Sequence, residues 1–151
     1  MQILEADEND AKALTIITKE SKAYWGYTEE LLKSWEGDLT ISEEYMLENK
    51  VYKLIFEYKI IGYYSYFNIE EGTVKLDNLF VLSKYIGEGF GKILIEDFLN
   101  KIRESKIEKI ILDADPYVED FYKKFGFNTI GQLETSVKDR FLPIMELRLK
   151  V

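Results

Sequence analysis

The hydrophobic period of this chain changes twice, and that constrains the fold more than any single residue does. From Val51 to Leu82 apolar residues alternate with polar ones. Tyr52, Leu54, Phe56 and Tyr58 share one face, Lys53 and Glu57 lie on the other, and Ile60–Ile69 and Thr73–Leu82 continue in Tyr, Phe, Ile and Val. Period two is the spacing of strands, and Glu71-Gly72 supplies a turn, so an antiparallel meander of three strands is expected. After Ser83 the spacing becomes helical. Phe90, Leu94 and Phe98 form one row, and Ile95, Leu99 and Ile102 another, which reads as an amphipathic helix of roughly four turns. Ile107–Ala114 then holds Ile110-Ile111-Leu112 in a nearly unbroken apolar run, as expected of a strand covered on both faces. Strand, helix and strand in this order make a β-α-β unit, whose two strands run parallel.

The flanks complete the pattern. Gln2–Glu5 reads as a first strand, and Ala11, Leu14, Ile16 and Ile17 recur at helical spacing in a helix from about Asp10 to Tyr24. Trp25-Gly26-Tyr27 interrupts it. Thr28 caps a second short helix carrying Leu31 and Leu32, and Ser42-Glu43-Glu44-Tyr45 starts a further turn or two. Pro116 opens a helix to about Phe125 that Gly126 closes, and Phe127–Leu133 and Leu142–Leu149 are the last strands. The expected fold class is α/β (α+β): a mixed, mostly antiparallel sheet with one parallel β-α-β crossover, flanked by helices. With no linker, repeat or low-complexity tract, one domain over residues 1–151 is expected.

Composition removes whole classes of chemistry. There is no Cys and no His, so thiolate nucleophiles, iron–sulfur clusters and the His-based triads are excluded, and no metal site is expected. Twenty basic against 28 acidic residues give a net charge of −8, which repels phosphate backbones and speaks against nucleic-acid partners. The same charge suits a cationic amine, or serves solubility alone. No apolar run has the length of about 20 residues that a membrane span needs. The acidic start MQILEADEND lacks the features of a signal peptide, so a cytoplasmic location is expected.

Between the third meander strand and the long helix stands Tyr85-Ile86-Gly87-Glu88-Gly89-Phe90-Gly91-Lys92. A strand-to-helix junction presents free N–H groups and the positive end of the helix dipole to an anion. Glycines let a diphosphate approach without a Cβ in the way, and Lys92 can add a charged contact. The spacing fits neither the phosphate loop of nucleotide triphosphatases, since Ile occupies positions 86 and 93, nor the dinucleotide fingerprint. A flexible turn without ligand is the competing reading.

About 30 residues downstream lies Asp115-Pro116-Tyr117-Val118-Glu119-Asp120-Phe121-Tyr122-Lys123-Lys124-Phe125-Gly126-Phe127. Together the two segments resemble the GNAT superfamily of acetyl-CoA-dependent N-acetyltransferases. Ile86 through Gly91 is similar to the family's Gln/Arg-x-x-Gly-x-Gly/Ala signature, with Ile86 in place of the Gln or Arg. The later segment is similar to its Asn-x-x-Ala-x-x-Phe-Tyr-x-Lys-x-Gly-Phe segment, with Asp115 in place of Asn and Val118 in place of Ala. The order of elements matches along essentially the whole chain.

The resemblance implies acetyl transfer from acetyl-CoA to a primary amine by direct attack in a ternary complex; a non-catalytic acyl-CoA-binding regulatory module of the same fold is the alternative. It implies cofactor contacts from Leu79, Phe80 and Val81, from the loop residues Ile86, Gly87, Glu88, Gly89, Phe90, Gly91 and Lys92, and from Asp115, Phe121, Tyr122 and Lys124. The backbone of Phe80 and Val81 would pair with the pantetheine arm, and an N–H near Leu79 or Phe80 would face the thioester carbonyl. Tyr122 stands at the general-acid position; ordinary packing is its other reading. With no His, a carboxylate or water must take the amine's proton. Asp77 is the candidate base, and a solvated strand Asp is its other reading. Asp77 and Asn78 alternate on their strand, so only one faces the cleft. Asn78, Trp25 and Tyr27 are the expected acceptor contacts, the two aromatics through cation–π attraction unless they only pack a helix corner. The partner is a small-molecule or peptide amine, and a homodimer is compatible with the family.

Overall fold

The computed structural model describes residues 1–149. The expected domain of 1–151 thus includes Lys150 and Val151, which lie outside the described residues. Seven strands order as β1-β2-β3-β4-β5-β7-β6 in one mixed sheet. They are β1 (Gln2–Glu5), β2 (Lys50–Phe56), β3 (Lys59–Glu70), β4 (Thr73–Val81), β5 (Lys109–Asp113), β6 (Asn128–Glu134) and β7 (Phe141–Arg148). The helices are α1 (Ala11–Tyr24), α2 (Glu29–Ser34), α3 (Glu36–Leu39), α4 (Glu43–Glu48), α5 (Phe90–Arg103) and α6 (Glu119–Lys123). The chain divides into two compact units, Met1–Tyr66 with Asn78–Lys101, and Phe67–Asp77 with Ile102 onward.

In the first unit β1 pairs antiparallel with β2, and β2 with β3. Period two in β3 sends alternate residues to two helical layers. Tyr63 joins Leu14 and Ile17 of α1, Ile41, Met46 and Val51 in one buried cluster. On the opposite face Tyr64 and Tyr66 meet Phe98 of α5, with ring centroids 5.5 and 5.1 Å apart. Gly62 belongs to that face, where a Cβ would stand 2.9 Å from the Phe80 carbonyl oxygen and 3.2 Å from Leu94 Cδ1, so close packing requires the glycine. The helix starts follow their caps: Thr28 Oγ1 accepts from Leu31 N–H, and Ser42 Oγ from Tyr45 N–H.

Tyr58 corrects the expected strand. It does not continue the face of Tyr52, Leu54 and Phe56, because Glu57 and Tyr58 take φ of 51° and 66° in the β2–β3 turn and Tyr58 is fully exposed. The register also shifts between Leu54 and Ile55. Helix α3 has no counterpart in the periodicity.

In the second unit the β4–β5 pair is parallel, with Thr73↔Lys109, Val74↔Ile110 and Lys75↔Ile111 in register. β7 lies beside β5, and β6 forms the edge, with a register shift between Thr129 and Gly131. β5 alternates after all: Ile110 and Leu112 are buried, Ile111 half-buried. The expected helix from Pro116 is a 3-10 turn, Pro116–Val118, followed by the five-residue α6. Val118, with φ −116° and ψ 9°, breaks the two apart.

Candidate active site

The glycine loop leaves β4 through a 3-10 turn, Ser83–Tyr85, and an extended Ile86. Gly87 and Gly89 take φ of +86° and +89°, which L side chains rarely adopt, and a Cβ built on either meets nothing within 4 Å. Two glycines are thus required by the backbone while facing open space, as a cradle for a ligand would have it. Gly89 accepts the first helical bond, from Ile93 N–H at 3.2 Å. The N–H groups of Phe90, Gly91 and Lys92 therefore precede any intrahelical acceptor and are available to an anion. The loop is anchored rather than slack: the Phe90 ring lies 5.1 Å from Phe56 and 5.5 Å from Tyr85. The Lys92 side chain is exposed and pairs with Glu96 at 3.8 Å. Glu88 is exposed as well.

The second half of β4 belongs to the same unit. Val81 is buried, Leu79 and Phe80 half-buried, and Phe80 packs on Tyr63 at 6.1 Å. Asn78 Nδ2 donates to Tyr45 Oη at 3.1 Å and to Ser65 Oγ at 3.0 Å. Toward the helical corner, Trp25 meets Tyr24 edge-on at 4.9 Å, and Tyr27 meets Trp35 at 5.0 Å. The cation over these rings is already present in the chain: Lys22 Nζ lies 5.6 Å from the Tyr27 centroid and 5.8 Å from that of Trp35. A cavity of about 490 Å³ opens beside them, lined by Glu20, Ala23, Leu32, Lys33, Glu36 and others of α1–α3.

In the second unit the parallel ladder stops at Lys75↔Ile111. β5 stays paired with β7 through Asp113↔Ile144, and Lys75 Nζ binds Asp113 Oδ2 at 2.8 Å. Asp77 is exposed. Tyr122 is buried, its ring edge-on to Phe121 at 5.2 Å and to Phe127 at 5.7 Å. Burial first, then the Asp115 charge, pushes its phenol well above the usual value. Asp115 has two tasks of its own. Its Oδ1 accepts from Tyr117 N–H at 3.0 Å and caps the 3-10 turn, while its Oδ2 stands 3.4 Å from Arg140 Nη2. Arg140 thereby offsets the negative charge that the sequence puts there. Phe121 is half-buried and Lys124 exposed.

The family model described as acetyltransferase (GNAT) domain matches residues 26–149. This chain belongs to the GNAT acetyltransferase family. Curated relatives match a short stretch: the uncharacterized N-acetyltransferase ycf52 of Pyropia yezoensis is 44% identical over 41 residues, which is 27% of this chain and 24% of that protein. The chain thus matches about a quarter of the length of these curated relatives. Solved GNAT structures match throughout. PaiA N-acetyltransferase of Thermoplasma acidophilum, in complex with coenzyme A, superposes with a TM-score of 0.79 at 20% identity, over 98% of both chains. YncA of Salmonella typhimurium, with its cofactor acetyl-CoA, gives 0.71 at 17%, over 100% of this chain and 95% of that one.

Two features here escape the sequence. Trp35 completes the aromatic corner, and Tyr45 and Ser65 hold Asn78. Tyr45 stands 20 residues from Ser65, and Ser65 13 from Asn78, so no local spacing announces them. Among the described residues no helix is long and apolar enough to cross a membrane, and no group of three or more His, Cys, Asp or Glu could hold a metal ion.

Proposed function

We propose that the protein is an acetyl-CoA-dependent N-acetyltransferase acting on a primary amine. The observation that carries this is the loop of Gly87 and Gly89, whose positive φ values and open Cβ positions leave main-chain donors bare at the head of α5. A diphosphate fits that cradle, and the family match supplies the reaction class. Acetyl-CoA brings the activated thioester; every other role falls to the chain. The amides from Gly87 to Gly91 bind the diphosphate. The backbone of Phe80 and Val81 holds the pantetheine arm as an added strand, and an N–H at Leu79 or Phe80 stabilises charge on the carbonyl oxygen.

A primary alkylammonium has a pKa near 10.4, so its proton must leave before attack. With Asn78 given to the acceptor, the exposed Asp77 lies on the other face of β4 and takes the proton through water. Tyr122, a phenol that carries its proton at neutral pH, donates to the departing sulfur, as a general acid must. Trp25 and Tyr27 belong to the helical corner that receives the acceptor. Lys22 already covers the Tyr27 and Trp35 rings, so the amine binds through the neighbouring carboxylates and Asn78 rather than on those ring faces.

The test combines thermal denaturation with an amine-panel assay of free CoA release. Acetyl-CoA should raise the melting temperature, whereas ATP and NAD should not. No shift at millimolar acetyl-CoA would remove the proposal, and a shift without CoA release from any amine would leave only the binding function.

A further inference from the structure

Ser65 is fully buried in β3, a place where a hydroxyl needs a partner. It has two. Ser65 Oγ lies 2.7 Å from Tyr45 Oη and accepts from Asn78 Nδ2. Nδ2 also donates to Tyr45 Oη at 3.1 Å. Three side chains from α4, β3 and β4 thus close a hydrogen-bonded ring within one unit. A carboxamide has two N–H donors and one acceptor oxygen. The nitrogen serves both hydroxyls of the ring, and the acceptor capacity that remains is the oxygen. The ring fixes the amide plane at two points, and with it the direction of that oxygen.

Asn78 directly precedes Leu79 and Phe80, one of whose N–H groups faces the thioester carbonyl in the proposed function. We infer that Tyr45 and Ser65 are positioning residues: they lock the Asn78 carboxamide so that its oxygen accepts an N–H of the acceptor amine and aims the nitrogen lone pair. This rests on the acetyltransferase reading above and deepens it. A neutral amide oxygen accepts from an ammonium and from a free amine alike, and takes no proton from either. It therefore orients the nucleophile through deprotonation and adds no pH dependence of its own. The substrate class that suits it keeps at least one N–H while its lone pair points elsewhere, which primary amines do.

The experiment uses the full chain, acetyl-CoA and 2-phenylethylamine together with the panel amines, reading CoA release. Asn78→Ala should lower kcat/KM for the amine by about tenfold or more, with KM for acetyl-CoA unchanged within about twofold. Tyr45→Phe and Ser65→Ala should each show part of that loss. In an Asn78→Ala background, Tyr45→Phe should cost nothing further, because its action passes through Asn78. A purely structural hydroxyl would instead lower the melting temperature and add its loss in both backgrounds. Additive losses overturn the inference, as does a folded Tyr45→Phe variant with wild-type kcat/KM. If Ser65→Ala fails to fold, Tyr45→Phe decides alone. Wild-type protein that binds acetyl-CoA yet turns over no amine overturns the catalytic reading and the inference with it; turnover that is insensitive to these variants overturns the inference only.

Discussion

Replacing Gly89 by Ala separates backbone strain from ligand binding, because the molecule contains a strain-matched control. Gly89 and Gly72 have φ of +89° and +80°; the Cβ of the first meets nothing within 4 Å, and that of the second meets Glu108 side-chain atoms at 3.6–3.9 Å, ordinary contact. An L residue in a left-handed conformation costs about 1–2 kcal/mol. For a domain of this size each kcal/mol lowers the melting temperature by about 2–4 °C, so both variants should melt about 2–8 °C below wild type. Affinity should part them. Gly72 lies in the β3–β4 turn, where its carbonyl accepts from Glu108 and Lys109, and no ligand role falls to it. At Gly89 the added methyl occupies the cradle itself. Displacing one charge-assisted contact to the diphosphate costs about 1.5–3 kcal/mol, or about 10–150-fold in affinity. Calorimetric titration with acetyl-CoA should show this loss in Gly89→Ala and wild-type affinity in Gly72→Ala. Equal affinities in the two variants would refute the assignment of the loop to the diphosphate.

Three further outcomes follow from the same structure. Tyr122→Phe keeps the packing on Phe121 and Phe127 and removes only the hydroxyl, so turnover should fall by about a hundredfold or more with acetyl-CoA affinity unchanged; Asp77→Asn should slow transfer most at low pH, both read by CoA release. The third concerns alkaline stability. Burial and the hydrogen bond to Asp97 raise the Tyr64 phenol far above 10, and burial beside Tyr52 pushes Tyr66 up to about 12. Both phenols are raised in the fold, so their stabilisation is complete below the unfolded value of about 10 and is lost as pH climbs from there toward 12. Urea titrations at pH 8 to 12 should show that decline. Tyr64→Phe should lose about 1 kcal/mol at neutral pH and decline less steeply above pH 10.

The architecture was readable because its signals are local. A switch from period two to 3.6 near Ser83 marks the crossover, and Thr28, Ser42, Gly72 and Gly126 punctuate the chain where their side chains or φ values demand it. Failures fall where structure is either too short or too distant to leave a pattern. Helix α3 has four residues, one of them Gly37, and makes barely one turn. Tyr58 continues the alternation of β2 in sequence, yet the turn inverts the backbone there. That β7 enters between β5 and β6 is a matter of pairing, which composition does not encode. The glycine loop and Tyr122 lie in contiguous motifs, so the sequence alone could single them out as candidates. Arg140, 25 residues from Asp115, was not visible as its partner, and neither were Tyr45 and Ser65 as partners of Asn78.

The placement of the indoles has a practical consequence. The chain has two tryptophans. Trp25 closes the end of α1, and Trp35 joins α2 to α3 beneath the Lys22 ammonium. Neither belongs to the α5 loop. Excited near 295 nm, where tyrosine contributes little, the protein should therefore glow from its helical corner alone, giving a built-in reporter for whichever molecule comes to rest there.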